Sequence, residues 1–350
     1  MILADILLIW YKKNKRNLPW RNTKNPYHIW ISEVILQQTR ITQGLGYYLD
    51  FINTFPDIQS LALAEEEHVL KTWQGLGYYS RARNLHFAAK QIVNEHNGIF
   101  PKEYTKILKL KGIGEYSAGA IASISFNLPF SAIDGNVLRV ISRLYGIEDP
   151  INSNEGKIKI KSIVNELIDK SNPGDFNQSF IELGALICKP QNPDCDICPI
   201  KEFCFAFLNQ KQKDFPQKNK LKKPKNRYFY YIVINLNNTN TFISKREKND
   251  IWKNLYDFPQ IETKEEIKDD NILIEKIKNI IITDTFIINK IHLPVKHQLT
   301  HQTLYSTFIE VSIDENIIIN NTIKIQLSQI NKYPFPKLIE NFIFNKIISH

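Results

Sequence analysis

Four cysteines, the only ones in the chain, lie within seventeen residues of one another, at Cys188, Cys195, Cys198 and Cys204. Disulfides do not usually cluster in this way in a protein from a reducing compartment. Four thiolates from one loop can instead close a tetrahedral metal site or hold an iron–sulfur cluster. The pattern therefore predicts a metal-binding loop, and the spacing alone does not separate zinc from iron–sulfur.

The chain divides by composition into a helical part and a strand-rich part. Up to residue 208, apolar residues recur at helical spacing, and the predicted helices are Ile2–Trp10, Tyr27–Gln38, Glu65–Gln74, Arg81–Glu95, Tyr116–Phe126, Val137–Tyr145, Ile158–Ile168 and Phe176–Cys188. From Tyr228 onwards, β-branched and aromatic runs predict strands at 228–236, 241–246, 285–292 and 303–313, with helices near 264–280 and 336–348. We therefore predict a mostly α domain at 1–208 and a smaller α+β domain at 228–350.

A basic linker is predicted between these domains. Residues 209–227 contain seven Lys, one Arg and one Asp, so they carry +7 of the formal net charge of +9. This segment is either a solvated tether or one that nucleic acid attracts. The apolar N-terminus is interrupted by Asp5 and predicts an amphipathic helix, and no segment has the apolar length of a membrane span. We therefore expect a cytoplasmic, monomeric protein with no membrane partner.

Glu33 and Asp134 are the two carboxylates whose sequence surroundings suit acid–base chemistry. Glu33 has Ile29 and Trp30 one turn before it, and burial beside such residues raises a carboxyl pKa and retains a proton near neutrality. Asp134 follows a glycine hairpin, Gly112–Gly114, whose backbone amides at a helix start suit an anion. One raised and one ionised carboxylate can together cleave a glycosidic bond. The alternatives are a half-buried structural Glu and an ordinary helix corner with a surface Asp.

Several motifs together resemble one family. They are LPWR (18–21), SEVILQQT (32–39), GLGYYSRARNLH (75–86), LKGIGEYSAGAI (110–121), IDGNVLRV (133–140) and the cysteine intervals of seven, three and six. In this order they are similar to adenine DNA glycosylases of the MutY type, which belong to the helix-hairpin-helix, endonuclease III superfamily. The resemblance covers nearly all of 1–208 and is looser after residue 228.

The resemblance implies roles for the matching residues of the helical domain. Glu33 would protonate the target adenine, and Asp134 would stabilise the oxocarbenium ion and guide water to the sugar. Tyr116 and Asn136 would complete the pocket. Gln178 would contact the flipped adenine, and Arg21 would lie at the side of the pocket. Gln38 and Tyr78 would fill the space that the extruded base leaves in the duplex. Gly112 and Gly114 would bind a phosphate.

The resemblance also implies a cofactor and a recognition domain. The four cysteines would ligate a [4Fe–4S] cluster, which shifts the expectation away from zinc, and Lys189 and Lys201 beside them would reach phosphates. The C-terminal residues resemble a Nudix-like domain that senses 8-oxoguanine opposite adenine. The family's Phe-Ser-His is here Leu299, Thr300 and His301, so its Phe is missing. Because no glycine follows Gly184, the glycine-rich signature of an active Nudix hydrolase is also missing.

The predicted function is that of an adenine-specific DNA N-glycosylase. Its expected partner is double-stranded DNA with an 8-oxoguanine:adenine or guanine:adenine mispair. One alternative is another glycosylase of the superfamily, of the endonuclease III or thymine-mismatch kind. A second is a non-catalytic iron–sulfur DNA-binding protein, which leaves Glu33 and Asp134 without a purpose.

Tyr116 predicts base removal without strand cleavage. In the endonuclease III branch a Schiff-base lysine stands two residues after the second hairpin glycine, and here that residue is Tyr116. Without an amine nucleophile, the protein should release adenine from a mismatched duplex and leave an uncut abasic strand. Borohydride trapping tests this prediction, with an endonuclease III-type enzyme as the positive control. A covalent protein–DNA adduct formed by this chain would contradict it.

Overall fold

The computed structural model describes residues 2–220, 223–237, 239–283, 285–299, 301–313 and 317–348. The chain forms two compact units, one of residues 1–63 and 84–220 and the other of 64–83 and 221–350. The predicted domain boundaries stay a prediction. The compact units differ from them in one respect, because residues 64–83, taken from the helical part of the sequence, pack with the C-terminal residues.

Helices build the first unit. They are α1 (Ile2–Asn14), α2 (Pro26–Leu36), α3 (Ile41–Thr54), α4 (Ile58–Leu63), most of α6 (Ser80–His96), α7 (Tyr104–Lys109), α8 (Glu115–Phe126), α9 (Gly135–Tyr145), α10 (Asn154–Leu167), α11 (Pro173–Leu186) and α12 (Phe205–Leu208), with α5 (Glu66–Thr72) in the second unit. All eight predicted helices are present. Helix α3 was not predicted because Gly44 and Gly46 lower its intrinsic propensity, yet buried Tyr48 and Phe51 hold it against the core.

Local sequence determines where the helices that carry the candidate site begin. The side chain of Asn25 accepts the N–H of Tyr27 at 2.9 Å, and Pro26 stands at the first position of α2. Helix α8 is lined with small residues that allow close packing. A Cβ added to Gly119 would lie 2.1 Å from the carbonyl oxygen of Ser131, so only glycine fits this contact.

The core of the first unit lies between α1, α9, α10 and α11. Its buried members include Leu7, Val140, Ile141, Ile160, Val164, Phe176, Phe180 and Leu183. Three of the cysteines, Cys188, Cys198 and Cys204, pack against this core. The metal-binding loop is therefore attached to the same apolar cluster that holds α9 and α11 in place.

A mixed sheet forms most of the second unit. Its strands are β1 (Lys225–Leu236), β2 (Asn240–Lys245), β3 (Tyr256–Asp257), β4 (Gln260–Thr263), β5 (Ile287–Ile291), β6 (Val295–Gln298), β7 (Gln302–Ile313) and β8 (Ile323–Gln326). The order is β3-β2-β1-β7-β5, with β4 also paired to β1, β6 to β7 and β8 to β2. Strands β1 and β7 run parallel along their whole length, and β6 and β7 form an antiparallel hairpin. The four predicted strands are present, whereas the short β3, β4, β6 and β8 were not predicted.

Two further helices, α13 (Asp270–Ile281) and α14 (Lys337–Ile343), complete the second unit. Helix α13 is shorter than predicted because the residues from 264 to 268 are not helical. Its buried residues Leu273, Ile277 and Ile281 pack on apolar side chains of β1 and β7, a core that also contains Ile232, Ile234, Ile309, Val311 and Ile313. No helix in the described part of the chain combines the length and apolarity needed to cross a membrane.

Candidate active site

A cavity of about 160 Å³ lies within the first unit. Glu33, Arg21 and Gln178 line it, together with apolar and aromatic side chains that include Tyr11, Trp20 and Ile29. At about 30 Å³ for each water, this space holds about five water molecules or a group of similar size. Three of the residues singled out in the sequence therefore face one cavity.

Glu33 lies at this cavity and is only 5% exposed. Its pKa is raised to about 7, mainly by burial and also by the nearby carboxylate of Asp134. A hydrogen bond from the Tyr116 hydroxyl and the charge of Arg21 act in the opposite direction. This direction is the one expected from the apolar neighbours of Glu33 in the sequence.

Asp134 is the N-cap of α9. Its Oδ1 accepts the N–H groups of Asn136 at 2.8 Å and Val137 at 2.9 Å, and its Oδ2 accepts the Asn136 side-chain amide at 2.6 Å. These three donors favour the charged carboxylate. Burial nevertheless raises the pKa of Asp134 above its usual 3.8. The pKa values of both carboxyls are thus raised, and Asp134 has three hydrogen-bond donors that favour its charge. The division into one carboxyl with a raised pKa and one ionised carboxylate stays a prediction.

A chain of hydrogen bonds joins Asp134 to the cysteine loop. Arg139, which the sequence analysis did not single out, donates to the Asn136 side-chain oxygen at 2.9 Å, and Asn136 in turn donates to Asp134. The same guanidinium donates to the carbonyl oxygens of Cys188 and Gly184, both at 2.8 Å. The only sequence signal for this role is the position of Arg139, one turn after Asn136 on the same helix.

A second missed residue, Glu182, holds Arg21 at the cavity. Its side chain is fully buried, and Arg21 donates to its two oxygens at 2.9 and 2.7 Å. Arg16 adds two side-chain bonds to the same carboxylate. Arg21 also reaches the Gln178 side-chain oxygen at 3.4 Å. Glu182 lies one turn after Gln178 on α11, which is the signal that could have identified it.

The cysteine loop offers a donor set that suits a thiolate-bound group. Cys188 follows α11, Cys195 and Cys198 flank a 3-10 turn, and Cys204 precedes α12. The pKa of Cys198 is raised to about 11, mainly by burial, and the other three cysteines act in the same direction, so the four sulfurs are close enough to influence one another. Arg143 donates to the Cys188 sulfur at 3.4 Å. Within the described residues, no three His, Cys, Asp or Glu side chains form a group that could hold a single metal ion.

The remaining candidates lie on turns. Gln38 is exposed just after α2, with φ of 59°. In the glycine hairpin, Gly112 has φ of 79°, and Gly114 is the N-cap of α8, without a side-chain cap. The other candidates belong to the second unit: Tyr78 is 43% exposed, Leu299 and His301 lie at the turn between β6 and β7, and Thr300 lies outside the described residues.

Three family models match the chain. One, described as the HhH-GPD superfamily base excision DNA repair protein, matches residues 31–169. The NUDIX domain matches residues 230–344. The iron–sulfur binding domain of endonuclease III matches residues 188–204, the span of the four cysteines.

Known proteins match over most of the chain. An adenine DNA glycosylase of Buchnera aphidicola subsp. Baizongia pistaciae is 38% identical over 333 residues, which is 93% of this chain and 90% of that protein. The human adenine DNA glycosylase is 41% identical over 57% of this chain and 38% of its own length. Among solved structures, a thermostable thymine-DNA glycosylase has a TM-score of 0.55 at 25% identity, covering 59% of this chain and 96% of that one. A trapped endonuclease III–DNA intermediate, at 21% identity and a TM-score of 0.52, shares the fold over 59% of this chain and 94% of its own.

Removing the charge of Glu182 should destabilise the first unit. Its ion pairs hold its pKa at about 2, below the usual 4.5, so the stabilisation is complete above about pH 4.5 and is lost as pH falls towards 2. We expect Glu182→Gln to lower the free energy of unfolding by about 3 kcal/mol at pH 7, with the difference shrinking between pH 4.5 and 2. Urea denaturation across this pH range measures it.

Glu103→Gln is the matched control, because Glu103 forms an exposed pair with Lys106. This substitution should change stability little at any pH. Equal losses for the two variants would show that the Glu182 network contributes no more than a surface ion pair.

Proposed function

This chain belongs to the adenine DNA glycosylases, and from that premise we propose how its residues act and which mispair it recognises. The predicted family, fold class and adenine-removing activity in base-excision repair are confirmed, and the cysteine loop binds an iron–sulfur cluster. We propose that the cluster is [4Fe–4S], and that the monomeric protein binds double-stranded DNA carrying adenine opposite 8-oxoguanine or guanine. The observation that carries the mechanism is Glu33, buried with a pKa of about 7 and hydrogen-bonded to Tyr116.

Glu33 acts as the general acid. A purine is a poor leaving group until a ring nitrogen is protonated, and a carboxyl with a pKa near 7 supplies that proton at neutral pH. The bond between the sugar C1′ and the base then breaks, with its electron pair going to the protonated adenine. The Tyr116 hydroxyl, whose own pKa is held well above 10 by burial and by the two carboxylates, stays protonated and keeps Glu33 oriented.

Asp134 stabilises the sugar cation that remains. Its three hydrogen-bond donors hold the carboxylate at the start of α9, so the charge faces the cation without rearrangement. Water then adds to C1′ and passes its proton to the ionised Glu33, which restores the acid. Because Tyr116 is not an amine, no Schiff base forms, and the product is an abasic site in an uncut strand.

Other residues bind and orient the DNA. Gln178 and Arg21 contact the flipped adenine in the cavity, with Arg21 held in place by Glu182. Gln38 and Tyr78 fill the space that the extruded base leaves in the duplex. The backbone amides of Gly112 and Gly114 bind a phosphate and so position the strand without reading its sequence.

The cluster is held by Cys188, Cys195, Cys198 and Cys204. A bound thiolate cluster cross-links its loop as a structural metal does. Arg139 donates both to the Cys188 carbonyl and to Asn136, so a well-folded loop supports the position of Asp134. Lys189 and Lys201 flank the loop and can reach DNA phosphates.

The C-terminal domain recognises the base opposite adenine. Leu299 and His301 lie at the turn between β6 and β7, where they can enter a groove of DNA, and Thr300 stands between them in the sequence. Leu299 replaces the family's Phe with a smaller apolar side chain. His301 is exposed and retains two ring nitrogens for hydrogen bonds to the lesion.

The acid role of Glu33 predicts a dependence of base release on pH. The protonated form is the active one, so the single-turnover rate should fall as pH rises through about 7. Glu33→Gln and Asp134→Asn should each lower adenine release by at least about a hundredfold, while binding of the mismatched duplex persists. Quench-flow measurement of released adenine, beside a binding titration, tests both.

Glu115→Gln is the control for the loss of one carboxylate. Glu115 is adjacent to Tyr116 but exposed and paired with Lys161. The Glu115→Gln variant should release adenine at the same rate as the natural protein. Full turnover by Glu33→Gln or Asp134→Asn would refute the mechanism.

The role of His301 predicts a selective loss. His301→Ala should lower the single-turnover rate on 8-oxoguanine:adenine by about tenfold, the effect of one lost hydrogen bond to the lesion, and leave the rate on guanine:adenine unchanged. The comparison needs the same duplex with either base opposite adenine. A parallel loss on both substrates would instead assign His301 to general DNA binding.

A further inference from the structure

Residues 64–83 belong to the second unit although they come from the helical part of the sequence. We propose that the C-terminal half of this unit positions the loop that carries Tyr78, through both backbone groups of Phe335. Gln74 and Tyr79 are the positioning residues. The inference rests on the proposed function in one respect, because Tyr78 fills the duplex only if the chain extrudes adenine.

The Tyr78 loop has a backbone that needs outside support. Within four residues, Gly75, Gly77 and Tyr78 have φ values of 96°, 73° and 46°. Glycine adopts such values freely, but a tyrosine in the left-handed region is disfavoured. A Tyr in this conformation persists only when its surroundings hold it there.

Part of that support comes from within the segment. The Trp73 indole N–H donates to the carbonyl oxygen of Gly77 at 3.1 Å, and Arg81 donates to the same oxygen at 3.2 Å. The Arg81 guanidinium also lies over the rings of Trp73 and Tyr78, at 5.2 and 5.7 Å from their centroids. These contacts orient Tyr78 relative to its own segment.

The rest of the support comes from Phe335. The Tyr79 hydroxyl donates to the Phe335 carbonyl at 3.1 Å and accepts the N–H of Gly75 at 3.4 Å. The Phe335 N–H donates to the Gln74 side-chain oxygen at 3.3 Å. Gln74 and Tyr79, on the two sides of the loop, are thus bonded to the backbone of one residue, Phe335. Pro334 and Pro336 flank it and have no N–H, so Phe335 supplies the one backbone donor of this tripeptide.

Phe335 is itself part of the rigid core of the unit. Its ring is 2% exposed and stacks on Phe258 at 6.2 Å. Phe258 meets Phe342 edge-on at 6.5 Å, and Phe342 stacks on Phe308 of β7 at 4.0 Å. Strand β7 is also the second strand of the hairpin that carries His301. One aromatic core therefore supports both the Tyr78 loop and the hairpin proposed to sense the lesion.

Polar contacts reinforce the attachment of residues 64–83. Asn254 donates to Glu66, Tyr256 donates to Glu67 at 3.0 Å, and Arg83 donates to the carbonyl oxygen of Lys253 at 2.8 Å. The segment is bonded at its start, its middle and its end. Tyr78 and the hairpin that carries His301 are therefore attached to one compact unit, through which recognition of the opposite base would be coupled to filling of the duplex.

The first test needs no DNA. We expect Tyr79→Phe and Gln74→Leu to raise hydrogen exchange of the amides at 75–78 in the free, full-length protein by about tenfold. Gln74→Glu keeps an acceptor for the Phe335 N–H and should restore protection. Tyr230→Phe is the matched control, since it also removes a tyrosine hydroxyl that accepts a backbone N–H, that of Ile267, in the same unit. Unchanged exchange in Tyr79→Phe, or an equal change in Tyr230→Phe, would overturn the proposal.

The second test follows base extrusion. A duplex with 2-aminopurine in place of the target adenine, opposite 8-oxoguanine, reports extrusion by its fluorescence. Tyr79→Phe and Gln74→Leu should lower the extruded fraction about as much as Tyr78→Ala, with melting temperatures equal to that of Tyr230→Phe. If the Tyr79→Phe variant extruded the same fraction of 2-aminopurine as the natural protein, a positioning role for Tyr79 would be contradicted. If the natural protein released no adenine, the proposed function would fail while the exchange result still decided how the loop is held.

Discussion

The hydrogen bonds at Asp134 are the interaction on which the candidate site most depends. The carboxylate caps α9, a contact worth about 1 kcal/mol in helices generally, and it is also the group proposed to face the sugar cation. Its position is therefore set by the folding of a helix and not by a flexible side chain. Because Arg139 on the same helix is bonded to both Asn136 and the Cys188 carbonyl, the cysteine loop supports the same end of α9.

Two glutamates of the first unit illustrate how partners determine the chemistry of a buried acid. Glu33 is desolvated with one hydroxyl donor and another carboxylate nearby, and its pKa rises to about 7. Glu182 is equally buried but is bonded to Arg16 and Arg21, and its pKa falls to about 2. Desolvation alone raises both values, so the ion pairs decide the difference. One glutamate is available as a proton donor, and the other is a permanent anion that orients the pocket.

The second unit is built from two segments that are far apart in the chain, 64–83 and 221–350. Residues 64–83 would be assigned to the helical domain by their periodicity, yet they pack with the C-terminal sheet. The bonds of Gln74 and Tyr79 to Phe335 are among the contacts that attach this segment to the C-terminal residues. This arrangement lets a domain of β-structure influence a loop whose sequence motif belongs to the helical domain.

The sequence by itself determined the helices that carry Glu33 and Asp134, the cysteine loop and the four long strands, because each depends on local periodicity, capping or spacing. It also indicated the raised pKa of Glu33, since Ile29 and Trp30 lie one turn away. Only the tertiary structure brought Glu182 to Arg21, linked Arg139 to the cysteine loop and moved 64–83 into the second unit. These contacts join residues up to 261 positions apart in the chain, and side chains so distant leave no periodic signal. Burial and pairing are properties of the packed structure, and they decide which of the candidate groups can act.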